Sequence, residues 1–352
     1  MRALVLSGGE GSRLRPITHT NAKQLIPIAG RPILFHALDS IREAKIREVG
    51  IVVGQTAAEV RAAVGDGSRW GLDVTYIEQA APLGLAHAVL TSADFVRGEP
   101  FLMYLGDNML IEGVAGFVEA FEREEPDAQI FLTRVPEPER FGVAVLEGDR
   151  VVRLVEKPRE FVSDIALVGV YLFRDSILEA CGTLKPSWRN EYEITEAIQW
   201  LIDRGDVVRA EMVSGWWKDT GRPEDLLEAN RMMLSVIQGS LQGEVDSASR
   251  IQGSVVIAEG AKVSRSVIQG PVVIGPDTVV ENSEVGPDVS VEHDCRLIGS
   301  SIEDSIMMSG CVVEGVRGLT GSILGRGVEV RHSGTGGIHR LVVGDQSRVE
   351  VD

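Results

Sequence analysis

The chain has 352 residues, 44% of them hydrophobic and 25% charged, with a formal net charge of −17. That length suits two domains rather than one small core, and the acidic balance argues against a nucleic-acid or anionic-membrane partner. It leaves a phosphate-bearing ligand open, because distant surface carboxylates are screened over about 8 Å in physiological salt and local residues decide.

The N-terminal apolar run, Ala3 to Leu6, reads as a short strand that enters a glycine-rich turn at Gly8, Gly9 and Gly11. Glycines let the backbone bend and approach a ligand, and successive N–H groups in such a turn bind phosphate oxygens. Arg13, Arg15 and Lys23 follow at once. The run is not a Walker loop, since no glycine-lysine-serine or glycine-lysine-threonine follows. It also lacks the third glycine of GxGxxG. The run Ala3–Leu6 is too short for the apolar region of a secretory leader.

After Pro32, the residues Ile33, Leu34, Ala37, Leu38 and Ile41 share one helical face. Val49–Val53, Val74–Ile77 and Phe101–Leu105 read as buried strands. Strand alternating with helix predicts an α/β domain with a mostly parallel sheet. Gly8 and Asp107 each follow such a strand, so both are expected in the crevice beyond the strands' carboxyl ends. Ala128–Val135, Gly142–Leu146, Arg150–Val155 and Ala166–Phe173 are strand-like. Asn190, with Glu193 at the capping-box position, is expected to start a helix striped by Ile194, Ala197, Ile198, Leu201 and Ile202. A further helix begins near Pro223, and Gly239 to Arg250 reads as a linker.

From Ile251 the texture changes to hexads. Each opens on a branched apolar residue, as at Ile257, Ile274 and Val291, and carries a modest side chain at its fifth position: Ala261, Val272, Thr278, Val289, Cys295. A six-residue period predicts a parallel β-helix. Cys181, Cys295 and Cys311 show neither CxxC pairing nor metal spacing, which fits reduced cytosolic thiols. No segment reaches the length of a membrane span. A cytoplasmic protein is expected.

Several motifs in order are more specific than the glycines alone. GGxGSRLxP is followed by Lys23-Gln24-Leu25-Ile26-Pro27, then Leu105-Gly106-Asp107-Asn108, Glu156-Lys157-Pro158 and Trp217-Lys218-Asp219-Thr220-Gly221. This series resembles the sugar nucleotidyltransferases, and within them the long-form glucose-1-phosphate thymidylyltransferases of bacterial deoxysugar and antibiotic pathways. Ser12 departs from the threonine usual there. The resemblance implies a Rossmann-like mixed-sheet catalytic domain over 1–240 and a left-handed parallel β-helix over 251–345. It also implies in-line attack of glucose 1-phosphate on the α-phosphorus of dTTP or UTP with Mg²⁺, in which positioning and charge stabilisation do most of the work.

Carried over residue by residue, the resemblance puts Leu6, Gly8, Gly9, Gly11 and Gln24 at the nucleotide, with Arg13 and Lys23 on the triphosphate. Asp107 and Asp219 would hold the metal, a set suited to Mg²⁺. Lys157 and Arg189 would clamp the sugar phosphate, with Asn108, Gly142, Glu156 and Tyr171 at the sugar. Phe141 stands where short-form relatives carry tyrosine. Gln79 and Gly84 would read a pyrimidine, the glutamine amide offering both donor and acceptor.

His36 and His87 read as structural or exposed helix residues, and His293, His332 and His339 carry no second motif for acyl transfer. Rival readings are the same chemistry with another sugar or cyclitol 1-phosphate, a bifunctional acyltransferase, or a non-catalytic regulatory homologue. The hexads hold none of the assigned residues, so they are expected to serve assembly of a homo-oligomer.

Overall fold

The computed structural model describes residues 1–9, 11–332 and 337–351. Residues 333–336 of the expected C-terminal domain lie outside the described residues. The chain forms two compact units: Met1–Glu10 with Leu34–Asp219, and Gly11–Ile33 with Thr220–Asp352.

The first unit is built on a nine-stranded mixed sheet. Its parallel part pairs Arg2–Ser7 with Glu48–Val53 on one side and with Phe101–Leu105 on the other, and Asp73–Glu78 extends it. Ala3, Leu4 and Val5 are fully buried, as strands covered on both faces must be. The other part, through Ile165–Phe173, Gly142–Glu147 and Arg150–Glu156, is antiparallel. The sheet is therefore mixed rather than mostly parallel, because Ile165–Phe173 enters beside Phe101–Leu105 in the opposite sense.

Helix Ile33–Glu43 buries the five residues of its predicted face. Helix Ile194–Arg204 buries Ile194, Ala197, Ile198 and Leu201 and ends at Gly205, whose φ of 93° suits a left-handed cap. Its N-cap is Glu193, not Asn190. Asn190 stands in a left-handed turn before the helix, with its backbone N–H donating to Ser187.

The second unit is a three-sided stack of parallel strands, two or three residues long in most coils. This is the architecture of the expected left-handed β-helix. Most coils repeat every 17 residues, as Val255, Val272 and Val289 do in register, one residue short of three full hexads. The fifth-position residues Ala261, Val272, Thr278, Val289 and Cys295 are all fully buried inside the stack.

One corner carries a serine ladder. Ser283 N–H donates to Ser266 Oγ at 3.0 Å, and Ser300 N–H to Ser283 Oγ at 3.1 Å. The ladder satisfies buried groups that an apolar residue would orphan. The stretch read as a linker forms the first coil. Ser240–Leu241 and Glu244–Val245 pair with Val255–Ile257 and Lys262–Ser264, and their small polar residues are the exposed face of a terminal coil.

The segment Gly11–Ile33 belongs to this second unit although it follows the first strand of the other. Asn21 Nδ2 donates to Asp345 Oδ1 at 2.9 Å and Thr20 Oγ1 to Asp345 Oδ2 at 2.9 Å. A Cβ on Gly30 would stand 3.0 Å from Val273 Cγ1. Helix Pro223–Ser235 joins it through Asn230, whose Oδ1 accepts from Ala29 N at 2.8 Å and from Ser290 Oγ at 2.9 Å. Among the described residues no helix is long and apolar enough to cross a membrane. All three cysteines are buried and unbridged, and burial pushes the Cys181 thiol up to about 12.

Candidate functional site

In the first unit, Leu6 pairs with Leu105 and the Gly106 N–H donates to Leu6 O at 2.9 Å. Gly8 and Asp107 therefore both lie just past the carboxyl ends of adjacent parallel strands, as the sequence predicts. A cleft of about 230 Å³ opens here, lined by Gly8, Gly54, Glu78, Gln79 and Pro82 among others. A Cβ on Gly8 would come 3.3 Å from Gln79 Oε1. The missing side chain keeps the floor of the cleft open.

Gln79 follows the strand Asp73–Glu78 directly. Its Nε2 donates to Gly84 O at 3.2 Å and meets His87 Nδ1 at 2.9 Å. Both amide N–H groups are thus engaged, and the side chain offers the cleft an acceptor rather than the donor-acceptor pair expected from the sequence. Gly84 has φ of 101°, and a Cβ there would fall 2.5 Å from Tyr192 O, so only glycine brings this carbonyl to Gln79. His87, read from the sequence as structural or exposed, is a partner of the expected base reader.

Asp107 and Asp219 are brought together by a two-stranded ladder. Trp217–Asp219 runs antiparallel to Asn108–Leu110, with Asp219 opposite Asn108. Asp219 is thus the last residue of a short strand. Asn108 is buried and bonded on three sides. Its Nδ2 donates to Asp107 Oδ1 at 3.0 Å, and its Oδ1 accepts from Trp217 Nε1 at 2.6 Å and from Gly169 N at 3.3 Å. It holds the acidic residue beside it. A Cβ on Gly169 would lie 2.6 Å from the Asn108 amide. That requirement was not visible in the sequence, where Gly169 is one glycine inside an apolar strand.

The third cluster joins Glu156, Lys157 and Arg189. Lys157 follows the strand Arg150–Glu156 in a left-handed conformation, φ 40°, with Nζ 3.9 Å from Glu156 Oε1. Thr195 Oγ1 donates to Glu156 Oε2 at 3.1 Å. Arg189 Nη1 lies 3.5 Å from Glu156 Oε1 and 3.2 Å from Glu193 Oε1, and Nη2 lies 2.7 Å from Glu191 Oε1. Burial pushes the Glu156 carboxyl above its ordinary range, and Glu193 adds to this. Lys157, Thr195 and Arg189 pull the other way.

A Cβ on Gly142 would sit 2.5 Å from Thr195 Cγ2 and 2.9 Å from Glu156 Oε2. Tyr171 lies in the core beneath, stacked on Phe173 with ring centroids 5.7 Å apart. Phe141 packs edge-on against Trp217 at 5.5 Å. Thr195 and Glu193 were missed as parts of this cluster; they sit on what reads as an ordinary apolar helix.

In the second unit, Gly11 has φ of 64°, and its carbonyl accepts from Thr18 Oγ1 at 2.7 Å. Arg13 is exposed, whereas Lys23 and Gln24 are buried, with Gln24 Oε1 unpartnered.

The nucleotidyl transferase family pattern matches residues 2–236. A glucose-1-phosphate thymidylyltransferase of Streptomyces griseus is 52% identical over 100% of this chain and 99% of its own. One from Streptomyces antibioticus is 49% identical over the same shares. Among solved structures, a UDP-glucose pyrophosphorylase complexed with UDP-glucose has a TM-score of 0.60 at 25% identity, over 66% of this chain and 98% of that one. On the family pattern and on full-length identities of about one half, the chain belongs to the nucleotidyl transferase family.

Proposed function

We propose that the protein is a glucose-1-phosphate thymidylyltransferase, joining dTTP and glucose 1-phosphate to give dTDP-glucose and pyrophosphate. The observation that carries the reading is the 52% identity to the Streptomyces griseus enzyme over the full length of both chains. The geometry supports it. Gln79 Oε1 borders a strand-end cleft of a size that takes part of a nucleotide, and the Glu156–Lys157–Arg189 cluster combines a carboxylate with two cations. A carboxylate accepts sugar hydroxyls, and Lys and Arg bind phosphate.

Arg13 and Lys23 supply positive charge for the triphosphate, and the N–H groups around Gly8, Gly9 and Gly11 cradle its oxygens. The sugar phosphate oxygen is the nucleophile, so the chain's task is to hold it in line with the α-phosphorus and to exclude water. Asp107 and Asp219 fit Mg²⁺. They are hard oxygen donors one residue apart across a ladder, and Mg²⁺ takes one or two carboxylates with phosphate oxygens and water. The ion would neutralise phosphate charge.

UTP is the second nucleotide to consider, because an acceptor at Gln79 meets the imide N–H common to uracil and thymine. Cytoplasmic location and a homo-oligomer assembled through the β-helix complete the reading. Pyrophosphate release over a grid of nucleoside triphosphates and sugar 1-phosphates tests it. Turnover greatest with dTTP and glucose 1-phosphate is expected, and a preference for GTP, or no turnover, would overturn it.

A further inference from the structure

We infer that His87 is a positioning residue for base selection, holding the Gln79 amide so that its oxygen alone faces the base. The inference rests on the reading of Gln79 as the base contact. A free glutamine amide can rotate by half a turn and exchange donor for acceptor, so by itself it accepts either kind of base edge. Here two groups remove that freedom. Gly84 O is an acceptor whatever its surroundings, so the Gln79 atom 3.2 Å from it must be the NH₂ nitrogen. The same nitrogen then meets His87 Nδ1 at 2.9 Å. Nδ1 must therefore accept, which places the imidazole proton on Nε2. With both amide hydrogens engaged, Oε1 is left towards the glycine floor at Gly8.

The frame around this pair is rigid. The His87 ring stacks on Tyr192, centroids 6.2 Å apart and planes 29° apart. The Tyr192 backbone ties down both ends of the turn, with its N–H donating to Leu83 O at 2.7 Å and its carbonyl accepting from Ala86 N at 3.1 Å. His87 and Gly84 thus belong to one braced element.

A fixed acceptor has a definite preference. Thymine and uracil present an imide N–H to it. Cytosine presents a ring nitrogen lone pair at the same position, and adenine does so at N1. Two acceptors facing each other lose a hydrogen bond and leave both unpaired. Guanine also carries an N–H beside a carbonyl, so the amide does not reject it and the width of the cleft has to. The selection that His87 enforces is therefore dTTP and UTP over dCTP, without regard to the thymine methyl.

The test compares kcat/KM for dTTP and dCTP in the wild-type protein, His87→Leu and His87→Gln, with the KM of glucose 1-phosphate as a check on the rest of the site. In His87→Leu the amide is held by Gly84 O alone, so turning it costs one hydrogen bond less, and the dTTP to dCTP ratio should fall about fivefold to tenfold, the scale of that bond. The KM of glucose 1-phosphate should not change. His87→Gln offers a carbonyl to Gln79 Nε2 and should restore the ratio. An unchanged ratio in His87→Leu, an equal loss with both nucleotides, or a His87→Gln variant no better than His87→Leu would overturn the inference. A wild-type protein indifferent to dTTP and dCTP would instead remove Gln79 as the base contact, and this inference with it.

Discussion

Glu156→Gln should exchange affinity for stability. Burial raises the Glu156 carboxyl above its ordinary value of 4.5, and the neighbouring Glu193 raises it further. A raised folded-state value means that the native protein holds the proton more tightly than the unfolded chain. The stabilisation is present at low pH and is lost as pH rises through the folded value. Above that folded value the native state carries the full burden of the buried charge. Glutamine removes that charge with nearly the same shape, and its carbonyl can still accept from Thr195 Oγ1.

The Tm of Glu156→Gln should therefore exceed that of the wild-type protein at pH above the raised Glu156 value, and the gap should shrink as pH falls through it. For the sugar, a hydroxyl bonded to a carboxylate is worth about 1.5–3 kcal/mol and one bonded to a neutral acceptor about 0.5–1.5 kcal/mol. The difference of about 1–1.5 kcal/mol corresponds to about a five- to tenfold rise in the KM of glucose 1-phosphate. Thermal melts over a pH series and pyrophosphate release at saturating dTTP read both effects. A Tm that drops would show that Lys157, Thr195 and Arg189 more than compensate the burial, and a gap flat in pH that they balance it. An unchanged KM would take Glu156 away from the sugar.

Arg13→Ala and Lys23→Ala should each lower kcat by about 10²–10³ with the fold intact, the usual effect of losing a charge-stabilising donor; near-wild-type turnover would remove that residue from the mechanism. Asp107→Asn and Asp219→Asn should each shift the magnesium titration to higher concentration, since each removes a formal charge from the expected metal site, and unchanged titrations in both would dismiss the assignment. Asp345→Ala removes the bonds to Thr20 and Asn21 and should lower kcat about 10- to 100-fold by loosening the segment that carries Lys23, with the Km for glucose 1-phosphate little altered. Full kcat in that variant would show that the segment is held by its other contacts.

Most strands and helices were legible because they bury an unmixed apolar run or stripe; Val74–Ile77, expected as a buried strand, lies at the sheet edge in Asp73–Glu78 and is only half-buried or exposed. Ala3–Leu6, Val49–Val53 and Phe101–Leu105 were read within one residue of their bounds, and the fifth positions of the hexads all turned inward. Side-chain partnerships were not legible. His87 lies on a helix whose pattern explains it without reference to Gln79, and nothing around Asn108 in the sequence points to its bonds with Asp107, Gly169 and Trp217. The placement of Gly11–Ile33 was also hidden. It rests on single polar pairs such as Asn21 with Asp345, 324 residues apart, and such pairs leave no period in the sequence. Cutting the chain near Gly243, which from sequence alone would leave the catalytic residues in place, would remove the segment's contacts with Asp345 and Val273 and leave it the Asn230 bond to Ala29.

The same segment gives the β-helix a second character. Gly30 faces Val273 and Asn21 faces Asp345, so the intervening chain spans four coil steps, about 19 Å at the ordinary strand spacing. Stacked repeats usually tolerate the loss or gain of a whole unit, because each coil contacts only its neighbours. Here the number of coils is a ruler. Removing one 17-residue coil between Val273 and Asp345 would leave a sound stack but draw the anchor back by about 5 Å, out of reach of Asn21. Length, which is free to drift in most solenoids, is in this protein set by the distance between two points on a loop near the other end of the sequence.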